Sequence, residues 1–300
     1  MKEKIKTFFS VCVLIFAVPY IVTLLFQGGE TSPAEKNVEK IKRENQEGQQ
    51  KGSEIEIEEY VKGVVAKQVL LESERETLKV QAVIARTMVV KAQEEGTELP
   101  KSMETEELIK LWGQKGFEEK YGALEEAVAA TRGEILVWAG KPAEAAYHAV
   151  SAGKTKNGKG AIEGQETPYL QSVNSESDIS SPDYLKVIFM EKAEAAEKLQ
   201  QEEKEIPGNI QIVERDDSGY VIQVQIGGKR LSGEEFRQCM GLNSACFYIK
   251  EVEGQVRILT KGLGHGLGLS QYGANEMAKQ GKDYKEILNY YYQGLELKIY

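Results

Sequence analysis

The 300-residue chain holds two histidines, and both lie in turn-rich sequence. His148 stands in AAYHAVSAGKT and His265 in KGLGHGLGLSQYGA. Imidazole titrates nearest neutral pH, so two such rings in one groove would suit proton transfer or hydrogen bonding to a polar ligand. In the second stretch Gly262, Gly264, Gly266 and Gly268 alternate with Leu263, His265, Leu267 and Leu269. Run as an extended chain, this sets bare hydrogens on one face and side chains on the other. Such a face admits a flat ligand or another backbone, and close packing under a loop is its plainer use. Ser270 is of the type that caps a helix, here one starting near Gln271 and ended by Gly281. Two nucleotide chemistries fail on spacing. Ala152-Gly153-Lys154-Thr155 ends like a phosphate loop, but His148 occupies the position that must be glycine. The later glycines miss a dinucleotide fingerprint at Leu269.

The elements that would position these residues read as mixed α+β. From Glu76 to Ala92, Leu78, Ala82, Ala85 and Val89 mark one helix face, and Val80, Val83 and Ile84 make the opposite side apolar too. That helix should be enclosed, and Lys79, Gln81 and Arg86 are its odd members. A buried guanidinium needs a partner, so Arg86 reads as half of a structural ion pair or as a contact to ligand. Gly133 to Trp138, the turn Gly140-Lys141-Pro142 and Ala145 to Ala149 predict a β-hairpin. Ile55 and Ile57, alternating with glutamates, predict a short strand. Glu191 to Glu205 predicts a solvent-facing helix. Tyr220 to Ile226 predicts a strand turning at Gly227-Gly228. Ser232-Gly233-Glu234-Glu235 and Asp283-x-x-Glu286 have the spacing that opens helices. No internal repeat is present.

Composition bounds the partners. The chain is 41% hydrophobic and 28% charged, which excludes a collagen, a coiled coil and a wholly disordered polymer. Its net charge is −9, and no cluster of Lys and Arg marks a nucleic-acid surface. Twenty uncharged residues run from Thr7 to Phe26 behind Lys2, Lys4 and Lys6. They match a hydrocarbon core of about 30 Å, with the N-terminus cytoplasmic. An uncleaved anchor is the expectation over a signal peptide, since no small-x-small cleavage site follows Phe26. Residues 29–53 are polar and charged, a tether with too little apolar surface to fold. The expected organisation is therefore residues 1–28 as stub and anchor, 29–53 as linker, and 54–300 as a single extracytoplasmic globular domain of one or two lobes. Cys12 reads as an apolar filler in the span, whereas Cys239 and Cys246 occupy a compartment that permits a bridge their spacing does not require.

One long series of motifs resembles the stage II sporulation protein D (SpoIID/LytB) family. It comprises YVKGVVAKQ (60–68), ETLKVQAVIART (76–87), AVAATRGEILVW (127–138), YHAVSAGKT (147–155), PYLQSV (168–173), the segment 230–237, and GHGLGLSQYGANEMAKQGKDYKEILNYYYQG (264–294). The resemblance covers residues 54–300 in order. It implies a membrane-anchored protein acting on cell-wall peptidoglycan during forespore engulfment, as a lytic transglycosylase on peptide-stripped glycan strands. The partners it implies are those strands, a cell-wall amidase and membrane components of the engulfment machinery. By the same likeness the groove would be lined by Arg86, His148, Ser151, Gly153, Thr155, His265, Ser270, Gln271 and Tyr272. It would be formed where the two histidine-bearing stretches meet.

Two departures from the family pattern bear on mechanism. Lytic cleavage needs one carboxyl that first gives and then takes a proton. The family carries a glutamate for this in G-V-V-A-x-E-M-P; here the position is Gln68, followed by Val69-Leu70. An amide is no acid at neutral pH, although it can hydrogen-bond a sugar. Glu72, Glu74 and Glu76 lie near in sequence, and Glu76 matches a family glutamate that favours a helix start. Some clostridial relatives bind zinc through cysteine and histidine beside the hairpin; Ser151-Ala152-Gly153 offers no thiol, so no metal or other cofactor is expected. Two readings follow: an enzyme that cleaves glycan, or a non-catalytic glycan-binding scaffold or amidase enhancer.

Overall fold

A computed structural model describes residues 56–69, 73–158, 167–200, 206 and 210–300. Residues 56–300 form one compact unit. The expected span 7–26 and linker 29–53 lie outside the described residues, among which no helix is long and apolar enough to cross a membrane.

The unit opens with α1 (Ile57–Gln68), where a strand was expected around Ile55 and Ile57. Val61, Val64 and Val65 are buried at helical spacing, and that longer period outweighs a two-residue alternation. Helix α2 (Arg75–Glu95) runs through the middle, as the two-sided apolar pattern requires. Its Ala82, Ala85 and Val89 pack with α1 and with α3 (Thr105–Ala130), while Val80, Val83 and Ile84 face a second cluster. Helix α3 breaks its geometry at Gly113, which takes φ 70° and ψ 165°.

Strand β1 (Glu134–Trp138) pairs with β2 (Lys141–Pro142), so the expected hairpin forms only as far as Pro142. Beyond it the carbonyl of Ala146 accepts from the Leu269 amide and the Tyr292 hydroxyl. This draws β3 (Tyr147–His148) away into parallel pairing with β10 (Leu269–Ser270), Tyr147 against Leu269 and His148 against Ser270. The other edge of β1 is taken by β11 (Glu296–Ile299). Ser270 then caps α6 (Gln271–Lys279) through the Gly273 amide, as its type predicts. Asp283 and Glu286 form a reciprocal capping box at the start of α7 (Tyr284–Tyr291), a device worth about 1 kcal/mol. Tyr291 and Tyr292 at the end of α7 are both buried, whereas Tyr290 beside them is exposed.

A second cluster lies between residues 185 and 261. Sheet β4-β9-β8, from β4 (Leu185–Met190), β8 (Phe247–Val252) and β9 (Gln255–Lys261), is antiparallel throughout. Beside it stands β5-β6-β7, from β5 (Ile210–Arg215), β6 (Val221–Ile226) and β7 (Lys229–Ser232). The turn at Gly227-Gly228 and the Ser232 capping box, which opens α5 (Gly233–Met240), both form as the sequence predicts. Helix α4 (Lys192–Leu199) is shorter than the 191–205 expectation and not wholly solvent-facing, since Ala195, Ala196 and Leu199 seal this core. Residues 201–205 lie outside the described residues. Cys239 is exposed, Cys246 is buried, and both are free thiols.

Candidate functional site

The glycine-alternating stretch does not run extended. Each of Gly262, Gly264, Gly266 and Gly268 takes a positive φ, so the segment winds instead of presenting one flat bare face. Close approach is nevertheless what all four of these glycines allow. A methyl at Gly264 would stand 2.8 Å from Cβ of His148, and one at Gly268 would collide with the Ala146 carbonyl. Contact at that range lets the winding segment bond both imidazoles.

The two histidines converge. Their ring centroids are 5.9 Å apart, inclined at 59°. The peptide groups of Leu267 link them. Its carbonyl accepts from Nδ1 of His148 at 3.0 Å, and its amide donates to Nδ1 of His265 at 3.0 Å. A carbonyl can only accept, so the His148 proton sits on Nδ1 and its Nε2 is a bare acceptor. That Nε2 is buried and has no partner among the described residues. For His265 the assignment reverses, leaving Nε2 for the Tyr147 carbonyl.

Burial pushes the His148 imidazole down to about 3, with the charge of His265 adding to the effect. His265 is lowered as well, again chiefly by burial. Both rings are therefore neutral in the folded chain at pH values where an unfolded chain protonates them. The unfolded state binds more protons below its ordinary value of about 6.5, so stability contributed here is present above that value and lost as pH falls toward 3. The urea midpoint is expected to fall steadily from pH 6.5 to pH 4, and His148→Gln to flatten the slope. One such group accounts for at most about 1.4 kcal/mol per pH unit. Equal slopes in variant and wild type would contradict a neutral buried His148.

Beneath the pair lies a carboxyl that no sequence pattern announces. Asp178, fully buried in the 3-10 turn Glu176–Ser180, accepts from the Ser151 amide at 2.7 Å and from Oγ of Ser270 at 2.9 Å. Burial raises its carboxyl, and the Ser151, Ser270 and Ser175 donors oppose that rise. Ser175 and Tyr291 share a hydrogen bond of 2.9 Å, and Gly273 leaves room for both hydroxyls. Asp178 thus fastens the 151 loop to the first turn of α6. Its surroundings, NSESDIS, carry no periodic or motif signal.

Gln271, one residue past Ser270, donates from Nε2 to the Gln68 carbonyl at 2.7 Å across 203 residues. Nearby, Asn275 accepts through Oδ1 from the Glu74 amide at 2.8 Å and from the Thr77 hydroxyl. Together these join the C-terminus of α1, the start of α2 and one side of α6. The side-chain Oε1 of Gln68 is buried and has no partner among the described residues. Tyr272 is half-buried here, its amide bonded to the Ala149 carbonyl at 3.0 Å.

Other residues expected in the groove are spent inside the protein. Arg86 is fully buried and forms a two-point pair with Glu58, 2.9 Å from Nε and 2.7 Å from Nη2. It also donates to the carbonyls of Glu134 and Val128, so the ion-pair reading holds and no face remains for a ligand. Ser151 and Thr155 are likewise enclosed, Thr155 bridging the Gln171 carbonyl and the Val173 amide. Gly153, at φ 99°, bonds its own neighbours Ser151 and Ser175. These three shape the loop under His148 and do not line a surface. Of the nearby carboxylates, Glu76 is held by Lys79 and accepts from the Tyr284 amide at 2.9 Å. Glu74 is exposed, and Glu72 lies outside the described residues. No three His, Cys, Asp or Glu side chains gather to hold a metal among the described residues.

Fold and site together define a mixed α+β protein whose one histidine pair is gripped by a winding glycine segment and backed by a buried aspartate. Relatives share this chain almost end to end. A family model described as Stage II sporulation protein matches residues 45–138. Stage II sporulation protein D of Bacillus subtilis (strain 168) is 34% identical over 331 residues, covering 99% of this chain and 96% of its own. The protein of that name from Bacillus amyloliquefaciens is 34% identical over 340 residues, with the same coverage. A shorter likeness, 44% over 52 residues, reaches the amidase enhancer of Bacillus subtilis (strain 168), spanning 17% of this chain and 7% of that protein. The chain belongs to the stage II sporulation protein D family.

Proposed function

We propose that this chain is a membrane-anchored sporulation protein that grips peptide-stripped glycan strands of peptidoglycan and has lost the means to cut them. The observation that carries the reading is Gln68. It stands where the resemblance places a catalytic glutamate, and its main chain is tied to Gln271 of the most specific motif. Its Oε1 and the Nε2 of His148 are buried acceptors awaiting donors, which sugar hydroxyl and acetamido N–H groups supply. Neither Glu74, left in water, nor Glu76, held by Lys79 and Tyr284, takes over the acid's place.

Retention of the chain on peptide-free glycan strands, with no anhydro-muramic ends released, is the expected result. Release of such ends by wild type would overturn the non-catalytic reading, and failure to be retained would overturn binding. A second reading, enhancement of a cell-wall amidase, is favoured by the 52-residue likeness to an amidase enhancer. Faster amidase turnover on whole peptidoglycan when the chain is added would support it.

A further inference from the structure

Sheet β4-β9-β8 turns Ile188, Val256 and Ile258 toward its own core. Its register defines what the opposite face carries. Val187, Leu259 and Tyr248 form one row across the three strands, and Phe189, Arg257 and Lys250 form the next. Leu185 with Lys261, and Val252 with Gln255, flank these rows. Leu185 is 55% exposed, Val187 42%, Phe189 56% and Tyr248 43%. The solvent side of an antiparallel sheet is ordinarily polar, and edge strands such as β4 ordinarily carry charge there. Here the edge strand shows only apolar side chains on that side, and the cations come from the strands behind it.

No carboxylate stands in the two central rows; Glu191 meets the face only at its Gln255 end, at 2.6 Å. Lys250 and Arg257 have no ionic partner among the described residues, and Lys261 lies over the Tyr248 ring at 5.6 Å, with Arg215 at 4.5 Å. The patch is therefore apolar and cationic on a chain whose net charge is −9. We propose that this outer sheet face docks onto an anionic phospholipid bilayer, its apolar side chains reaching the acyl boundary and its Lys and Arg side chains meeting headgroup phosphates.

Charge and reach both select this occupant. The linker 29–53 has five acidic and five basic residues and no apolar run, so it complements neither property of the patch. Phe189 and Tyr248 offer ring faces on which a sugar can stack, but the rows hold no amide or carboxylate to accept from its hydroxyls. The expected anchor ends near residue 28, and a 25-residue tether of the kind expected at 29–53 would span about 25–30 Å. That keeps the globular unit within about one domain diameter of the bilayer and raises the local concentration of lipid to the millimolar range or above, about enough for a weak surface to engage.

The test uses residues 56–300, which form one compact unit whose cores, among the described residues, draw on Ile57 onward. This unit is expected to sediment with phosphatidylcholine vesicles containing about one third phosphatidylglycerol, less as salt rises, and little with phosphatidylcholine alone. The double substitution Arg257→Glu/Lys261→Glu is expected to weaken that binding by about 25-fold or more, from roughly fivefold per cation lost. Phe189→Ser should weaken it independently of salt. Both variants alter exposed or half-exposed side chains and keep wild-type circular dichroism and glycan retention, which separates this proposal from the binding role of the histidine groove. Absence of phosphatidylglycerol-dependent sedimentation would overturn the proposal and leave an acidic protein as the occupant. Equal sedimentation of the charge-reversed variant would overturn it too.

Discussion

On the proposed function, Gln68→Glu is expected to release anhydro-muramic ends from glycan strands at least about a hundredfold above the wild-type background. That figure is the low end of what a positioned general acid contributes. The site favours the gain for a physical reason. Oε1 of Gln68 is buried and unpartnered, so a carboxyl there would lose solvation and be driven upward in pKa. A carboxyl that keeps its proton near neutrality is the one able to protonate a leaving glycosidic oxygen. The main chain needs no adjustment, because the Gln271 bond is made to the Gln68 carbonyl and not to its side chain. Rate of anhydro-end release by the variant, against wild type and against His148→Gln in the same background, is the measurement. A silent variant that still binds glycan would show that more than one atom was lost along with the acid.

The second large effect is on stability. Arg86→Met is expected to cost about 3–5 kcal/mol, the usual result of leaving one partner of a buried ion pair uncompensated. For a unit of this size that lowers the melting temperature by roughly 6–20 °C. The loss should be large because Arg86 is shared. It pairs with Glu58 of α1, while its remaining N–H groups hold the last turn of α3 and the carbonyl that opens β1. Glu58 in turn accepts from the Gly133 amide. Pairing the change with Glu58→Leu should cost less than the two single changes summed, since no lone charge is then left inside. A drop below about 2 °C for Arg86→Met would refute the structural role.

What the sequence disclosed, and what it hid, follows from the range over which each signal acts. Local chemistry was readable. Ser232, Ser270 and Asp283 cap the helices their spacing predicts, because a cap depends on residues three apart. The two apolar faces of α2 were readable for the same reason. Signals of only two residues misled. Ile55 and Ile57 alternate with acids, yet Ile57 belongs to a helix whose true period begins at Val61. The hairpin was half right, since nothing local says that Tyr147 and His148 prefer a partner strand more than a hundred residues onward. Asp178 was invisible, its partners being distant in sequence and its neighbours a run of small polar residues. The alternating glycines announced close approach correctly and extended geometry wrongly. Alternation fixes where side chains are missing, whereas the sign of φ is set by what packs against each gap.

The bond from Gln271 to Gln68 has a temporal meaning. At ordinary translation speeds, 203 residues separate the two glutamines by roughly 10–40 s of synthesis. Neither β10 nor α6 exists for a ribosome that has delivered only the first half, so a nascent or prematurely terminated molecule lacks the junction of α1, α2 and α6. Only a finished copy carries that junction.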